Sequence, residues 1–162
     1  MKILVLSDSH SSLMFMRSCV NAVKPDCVIH LGDHYGDGSV IRAENPEIIC
    51  YQVPGNCDCV YGGEETRICQ IAGVTFLMTH GHRYHVKTGL SKLLSRAREV
   101  GVDAVLFGHT HIPLCQREDD GLLVMNPGAA GFWGGSAGII EIQQDAITAC
   151  RIIRQADLDA LV

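Results

Sequence analysis

The sequence predicts an α/β fold of two packed, mixed β-sheets flanked by helices. Three observations carry this expectation. The first fifty residues alternate short apolar runs with a segment of helical spacing. The second half breaks into short strands separated by turn residues. The His, Asp and Asn residues fall just after strands, where ligands gather in α/β sheets.

Lys2 to Leu6 is a continuous apolar run, as in a strand buried on both faces. Leu13, Met16, Val20 and Val23 give helical spacing over Ser11 to Lys24, and Pro25 ends it. Cys27 to Leu31 is a second buried strand. Gly36 to Glu44 reads as a loop containing at most a short helix. Glu47 to Val53 is a third strand, closed by Pro54-Gly55. A β-α-β-α-β opening predicts a parallel sheet.

Arg67 to Ile71 and Val74 to Thr79 flank Ala72-Gly73 as a hairpin. Thr88 to Val100 is a helix, capped by Thr88 or Ser91 and stopped at Gly101. Asp103 to Phe107 is another buried strand. Leu114 to Arg117, Leu122 to Met125, Gly138 to Ile142 and Ala146 to Ile153 follow. Turns at Asp119-Asp120-Gly121 and Gln143-Gln144-Asp145 join these as a meander, and the tail from Gln155 frays. The sheets are thus expected to be parallel early and antiparallel late.

A chain of 162 residues suits one domain, residues 1–162, with no repeat or linker. It is long enough to bury roughly 70% of its unfolded surface, so it needs no staples. No apolar run approaches the ~20 residues that span a bilayer. Met1-Lys2 leads straight into the first strand without a signal-peptide pattern, so a cytoplasmic location is expected and no membrane partner. The net charge of −5 excludes nonspecific nucleic-acid binding, which needs a basic face. The eight cysteines include no CxxC pair, which disfavours a zinc knuckle. Cys27, Cys50, Cys69 and Cys150 lie in apolar runs and read as small buried hydrophobes.

Asp8 and His10 follow the first strand, Asp33 the second, Asn56 the third, His80 the strand ending at Thr79, and His109 and His111 the strand ending at Phe107. Singly, each has an ordinary reading: Asp8 as a helix N-cap, Gly32-Asp33 and Gly55-Asn56 as turns. Jointly they predict a metal centre at one sheet edge. Residues i and i+2 of an extended segment point the same way, so Asp8/His10 and His109/His111 can each present two ligands. There is no GxGxxG or Walker motif, and no GxSxG nucleophile elbow. His30, inside a strand, reads as a satisfied core histidine.

The motifs Asp8-Ser9-His10, Gly32-Asp33, Gly55-Asn56-Cys57-Asp58, His80-Gly81-His82 and Gly108-His109-Thr110-His111 occur in an order that resembles the calcineurin-like metallophosphoesterases. The likeness is to their small single-domain bacterial and archaeal branch, the YfcE type, and Asn126-Pro127-Gly128 extends it. The resemblance implies two divalent metal ions. Asp8, His10, Asp33 and His111 would hold the first; Asp33, Asn56, His80 and His109 the second, with Asp33 shared. Mixed carboxylate, imidazole and amide ligands suit Mn²⁺, Fe, Ni²⁺ or Zn²⁺ better than Ca²⁺, and the resemblance favours Mn²⁺. The implied reaction is hydrolysis of a small phosphate ester, most readily a phosphodiester, by a hydroxide bridging two metals ~3.5–4 Å apart.

One position departs from the wider family, which often has His after the metal-binding Asn; here it is Cys57. A thiol suits leaving-group protonation less well, so good leaving groups are favoured and His82 becomes the replacement candidate. His34, Tyr35, Arg83 and Tyr84 sit in loops beside the motifs and read as solvated positions, with substrate contact the alternative. Phe132-Trp133-Gly134-Gly135 is an aromatic loop for the pocket or a subunit interface, and a homodimer is implied by resemblance only. The alternative to an enzyme is a non-catalytic metal-binding scaffold for protein–protein interaction, as in the retromer scaffold subunit. That scaffold has a degraded metal site, whereas every implied ligand is present here. Nucleases of the superfamily carry added domains and basic surfaces that this chain lacks.

Overall fold

The computed structural model describes residues 1–59, 63–131 and 134–160. Two five-stranded sheets stack face to face. The first contains β1 (Lys2–Leu6), β2 (Cys27–His30), β3 (Ile49–Gln52), β9 (Ser136–Gln143) and β10 (Ala146–Arg154), in the order β10-β9-β1-β2-β3. The second contains β4 (Thr66–Ile71), β5 (Val74–Thr79), β6 (Ala104–Leu106), β7 (Leu114–Arg117) and β8 (Leu123–Asn126), in the order β4-β5-β6-β8-β7. Helices α1 (Leu13–Val23) and α2 (Tyr35–Glu44) cover the outside of the first sheet, and α3 (Ser91–Val100) the outside of the second.

The apolar runs explain this layering. Ile3 and Val5 face the second sheet, packing with Ile29, Phe76, Met78, Leu106 and Met125. Their neighbours Leu4 and Leu6 face outward onto Phe15, Met16 and Val20 of α1. A strand covered on both faces has no polar side, hence the unbroken run Ile-Leu-Val-Leu. On the second sheet Leu77, Val105 and Val124 turn outward to Leu93 and Ala97 of α3.

In the second sheet the parallel strands form the interior; in the first, parallel β1 and β2 are interior and parallel β3 is an edge. β1, β2 and β3 are parallel in one, and β5, β6 and β8 in the other. The antiparallel pairs β9–β10, β4–β5 and β7–β8 close the other three edges. The expected late meander is therefore two separate hairpins. β7–β8 completes the second sheet, while β9 crosses to pair with β1 of the first. Turn residues mark each hairpin but carry no signal for which sheet receives it.

Three local expectations are corrected. Tyr35–Glu44 is a full α-helix. Its Gly38 lets the helix lie against β2 and β3, since a Cβ there would press on His30 and the Gln52 side chain. Neither Thr88 nor Ser91 caps α3: Leu90 is its N-cap, and the Thr88 hydroxyl donates to the His85 carbonyl at 2.9 Å. The tail forms a 3-10 helix, Gln155–Ala160, with Leu158 buried against α1. Phe132 and Trp133 lie outside the described residues. No described helix is long and apolar enough to cross a membrane.

The β4–β5 turn places Ala72 at φ 47° and Gly73 at φ 81°. Both signs match a type I′ hairpin turn, where Asn is preferred over Ala at the first position. Ala72→Asn is expected to stabilise the fold by about 0.5–1 kcal/mol, read as a raised urea midpoint with unchanged slope.

Candidate metal centre

The carboxyl ends of β1, β2 and β3 meet those of β5 and β6 at one edge of the sandwich. The His80 Nδ1–H of the second sheet donates to the Leu31 carbonyl of the first at 2.8 Å. The His109 amide donates to Asp8 Oδ2 at 3.1 Å, crossing the same seam.

All seven residues expected as ligands stand at this seam. Ligand atoms of Asp8, His10, Asp33 and His111 lie within 4.8 Å of one another and form a candidate metal site. His111 Nε2 is 3.0 Å from Asp8 Oδ1, and His10 Nε2 is 3.9 Å from Asp33 Oδ2. Beside them, His80 Nε2 lies 3.2 Å from Asn56 Oδ1, 3.2 Å from His109 Nδ1 and 3.4 Å from Asp33 Oδ1.

The donor chemistry fits cations. His80 commits its Nδ1 proton to Leu31, which turns Nε2 toward the centre. There it faces two oxygens and a nitrogen, a donor set that a cation can take. Asn56 Nδ2 turns to Cys57 Sγ, leaving its oxygen toward the centre. Asp8 Oδ1 is buried and accepts no hydrogen bond. Such an atom is costly unless a charge compensates it. Among the described residues, no lysine or arginine pairs with Asp8 or Asp33; their ion-pair partners are imidazoles.

The backbone is strained where the candidate ligands sit. Asp8 (φ 52°), His10 (42°), Asp33 (53°), His109 (67°) and His111 (60°) all adopt left-handed conformations. Each costs on the order of 1–3 kcal/mol and persists only where the surroundings over-determine it. Asp8 is consequently no helix cap; the N-cap of α1 is Ser12, without a side-chain bond.

The bracing is extensive. Ser7 Oγ donates to Asp8 Oδ2 at 2.6 Å. Gly108 lies so close that a Cβ would overlap the Ser7 hydroxyl and crowd the Asp8 carboxylate. Buried Asn126 donates to the Gly108 carbonyl at 2.9 Å and to Thr110 Oγ1 at 3.0 Å, and accepts from the Gly128 amide at 2.9 Å. Asp58 accepts from the His34, Tyr35 and Gly55 amides at 2.9, 2.8 and 2.8 Å, capping α2 and tying the β2 and β3 loops together. The sequence flagged Asp58 and Asn126 within motifs but not these roles. It missed Asp37, a buried carboxylate bonded to Ser9 and Ser11.

Asp33 accepts from the Cys57 amide at 3.0 Å. Burial alone would raise its carboxyl, but that amide and His80 hold it below the usual range. The Cys57 thiol is exposed and pushed up, chiefly by its hydrogen bond to Asp33 and then by partial burial. Burial, with His80 and Lys87 nearby, pushes His109 down to about 4. Burial and His80 also lower His82, whose ring centroid is 5.6 Å from His80 and 6.1 Å from His109. His82 Nδ1 is buried without a hydrogen bond. Arg83 turns to Glu65 at 2.7 and 3.0 Å, as a solvated loop residue should.

A match to the calcineurin-like phosphoesterase superfamily domain covers residues 1–145. A probable metallophosphoesterase of Bacillus subtilis, YsnB, is 31% identical over 91% of this chain and 88% of its own length. The phosphodiesterase MJ0936 of Methanocaldococcus jannaschii is 28% identical over 89% of this chain and 95% of its own. In fold, the chain superposes on zinc-complexed Vps29 from Entamoeba histolytica with TM-score 0.71 and 20% identity, over 95% of this chain and 99% of that one. Fold and site together define a phosphoesterase, a hydrolase of phosphate esters. The chain belongs to the calcineurin-like phosphoesterase superfamily.

Beneath the centre, His30 is fully buried and is the core histidine expected. Its Nδ1 accepts from the Gly32 amide at 3.4 Å, and its Nε2 bonds Ser9 Oγ at 3.0 Å. Burial pushes it down to about 4, against 6.5 for an exposed imidazole. Between pH 6.5 and 4 the unfolded chain therefore binds the proton that folded His30 refuses. Stability falls as pH drops through this window, by up to about 1.4 kcal/mol per pH unit from this group. Urea melts at pH 7 and pH 4.5 should show a smaller acid loss in His30→Gln than in wild type, and an equal loss would refute the assignment.

Proposed function

We propose that the protein hydrolyses phosphodiesters using two divalent cations, with Mn²⁺ the first choice and Fe, Ni²⁺ or Zn²⁺ the alternatives. The carrying observation is the convergence of ligand atoms at the seam: buried Asp8 Oδ1 facing His111, and His80 Nε2 facing Asn56, Asp33 and His109. Asp8, His10, Asp33 and His111 would hold one cation, and Asp33, Asn56, His80 and His109 the other. Similarity to the M. jannaschii phosphodiesterase supports the choice of diesters.

When bound, such cations supply Lewis-acid stabilisation of the phosphoryl oxygens and a hydroxide nucleophile near neutral pH. The chain's own residues position the reaction. The Cys57 amide fixes Asp33 Oδ1, leaving Oδ2 toward His10. His80 is locked in its Nδ1–H tautomer by Leu31. His82 borders the His80–His109 side and would hydrogen-bond the substrate or its leaving group. Cys57 offers a thiol where an imidazole would be the better proton donor, so aryl leaving groups are favoured over alkyl ones.

Metal binding alone does not separate an enzyme from a metal-binding scaffold. Turnover does. Chelator-stripped protein should hydrolyse bis-p-nitrophenyl phosphate only after Mn²⁺ or another divalent cation is restored. Asp33→Asn should lose most of that activity and bind metal more weakly. No turnover with any divalent metal would redirect the assignment to a protein-binding scaffold. Separately, Cys57→His should tolerate the exchange and speed monoester cleavage; loss of activity with metals still bound would overturn the reading of that position.

A further inference from the structure

Asp37 lies in the first turn of α2, at its third residue. A carboxylate there ordinarily reaches back to the N-cap amide of its own helix. That amide, of His34, is already taken by Asp58 at 2.9 Å. Asp37 turns instead to the loop after β1. Its Oδ2 accepts from the Ser9 hydroxyl at 2.7 Å and from the Ser11 amide at 2.8 Å. Ser9 Oγ has one proton, directed to Asp37 at 2.7 Å with the Asp33 carbonyl a longer second acceptor at 3.3 Å, so it accepts from His30 Nε2–H at 3.0 Å. The Gly32 amide feeds His30 Nδ1 in turn. The chain Gly32, His30, Ser9, Asp37 runs beneath the ligand loops, and Asp37 is only 9% exposed.

The two donors to Asp37 flank His10 on either side. His10 (φ 42°) and Ser11 (φ 71°) are both left-handed, a conformation uncommon for residues other than glycine. We propose that Asp37 is the positioning residue of the first metal site. It clamps Ser9 and Ser11 so that the intervening His10 projects toward Asp33 and His111. This inference rests on the two-cation reading above. It adds a residue from outside the ligand motifs that sets the affinity of one site and not the other. Partners that orient metal ligands typically contribute 10–100-fold in affinity or activity.

The test is Mn²⁺ titration calorimetry on chelator-stripped full-length protein, with circular dichroism to confirm folding. Asp37→Ala, which removes the acceptor oxygen, should weaken one of the two Mn²⁺ affinities by roughly 10–100-fold and leave the other within about twofold. The Mn²⁺ concentration for half-maximal hydrolysis should rise in step, while kcat at saturating Mn²⁺ returns to within a few-fold of wild type. A merely structural role would not produce that split. Asp103→Ala is the control. It removes a similar carboxylate–amide bond, to Thr75 at 2.8 Å, at the opposite end of the strands, and should leave both affinities unchanged. Folded Asp37→Ala protein with two wild-type affinities overturns the inference. If Asp37→Ala does not fold, Ser9→Ala decides. That variant keeps the Ser11 bond, and the same selective weakening supports the proposal while unchanged affinities overturn it. Wild-type protein that binds no divalent cation overturns the metal reading, and this inference with it.

Discussion

The structure is organised around an electrostatic deficit. Two carboxylates, Asp8 and Asp33, and four imidazoles, His10, His80, His109 and His111, converge at the seam between the sheets. No described lysine or arginine forms an ion pair with either carboxylate. Bringing lone pairs together in this way is unfavourable without a cation. Five of these positions, Asp8, His10, Asp33, His109 and His111, also carry backbone strain of about 1–3 kcal/mol each. A domain whose net stability is only about 5–15 kcal/mol tolerates such a load only if the surrounding structure over-determines it.

The over-determination comes from polar residues that never face the centre. Asp58, Asn126, Asp37 and Ser7 each bond the backbone or the neighbouring side chain of a ligand loop. Their partners are mostly amides, which do not change charge or position with solvent conditions. The acidic residues at this end of the fold thus divide in two. Asp8 and Asp33 keep oxygens turned to the seam. Asp37 and Asp58 spend theirs on loop amides and hydroxyls. The same residue type does opposite work, decided by which backbone donors lie within reach.

That division marks the limit of what the sequence made legible. The candidate ligand positions were readable because each follows a strand, and all but Asn56 follow a buried apolar run, which is conspicuous. Burial on both faces likewise revealed the strands, from Ile3-Leu4-Val5-Leu6 to Ala104-Val105-Leu106. α2 was not readable, because Gly36 and Gly38 break helical propensity for the sake of close packing on His30. Nor was the passage of β9 into the first sheet, since its register with β1 depends on contacts more than 130 residues away in sequence, such as Lys2 with Glu141. Asp37 gave no signal because its partners, Ser9 and Ser11, are 28 and 26 residues distant and unremarkable by type. Long-range polar bracing has no periodicity to detect.

The seam location has a further physical consequence. Asp8, His10, Asp33 and Asn56 extend from the first sheet; His80, His109 and His111 extend from the second. Between the sheets the remaining contact is largely apolar and non-directional. Apolar packing fixes the spacing of two sheets well but their sliding poorly. The directional bonds at this edge, His80 to Leu31 and the His109 amide to Asp8, supply the missing register. A cation held by Asp8 and His111, or by Asp33 and His80, draws on both sheets at once. It would therefore add to the same constraint, so the feature that makes the apo seam electrostatically unfavourable is also what lets bound metal lock the sandwich.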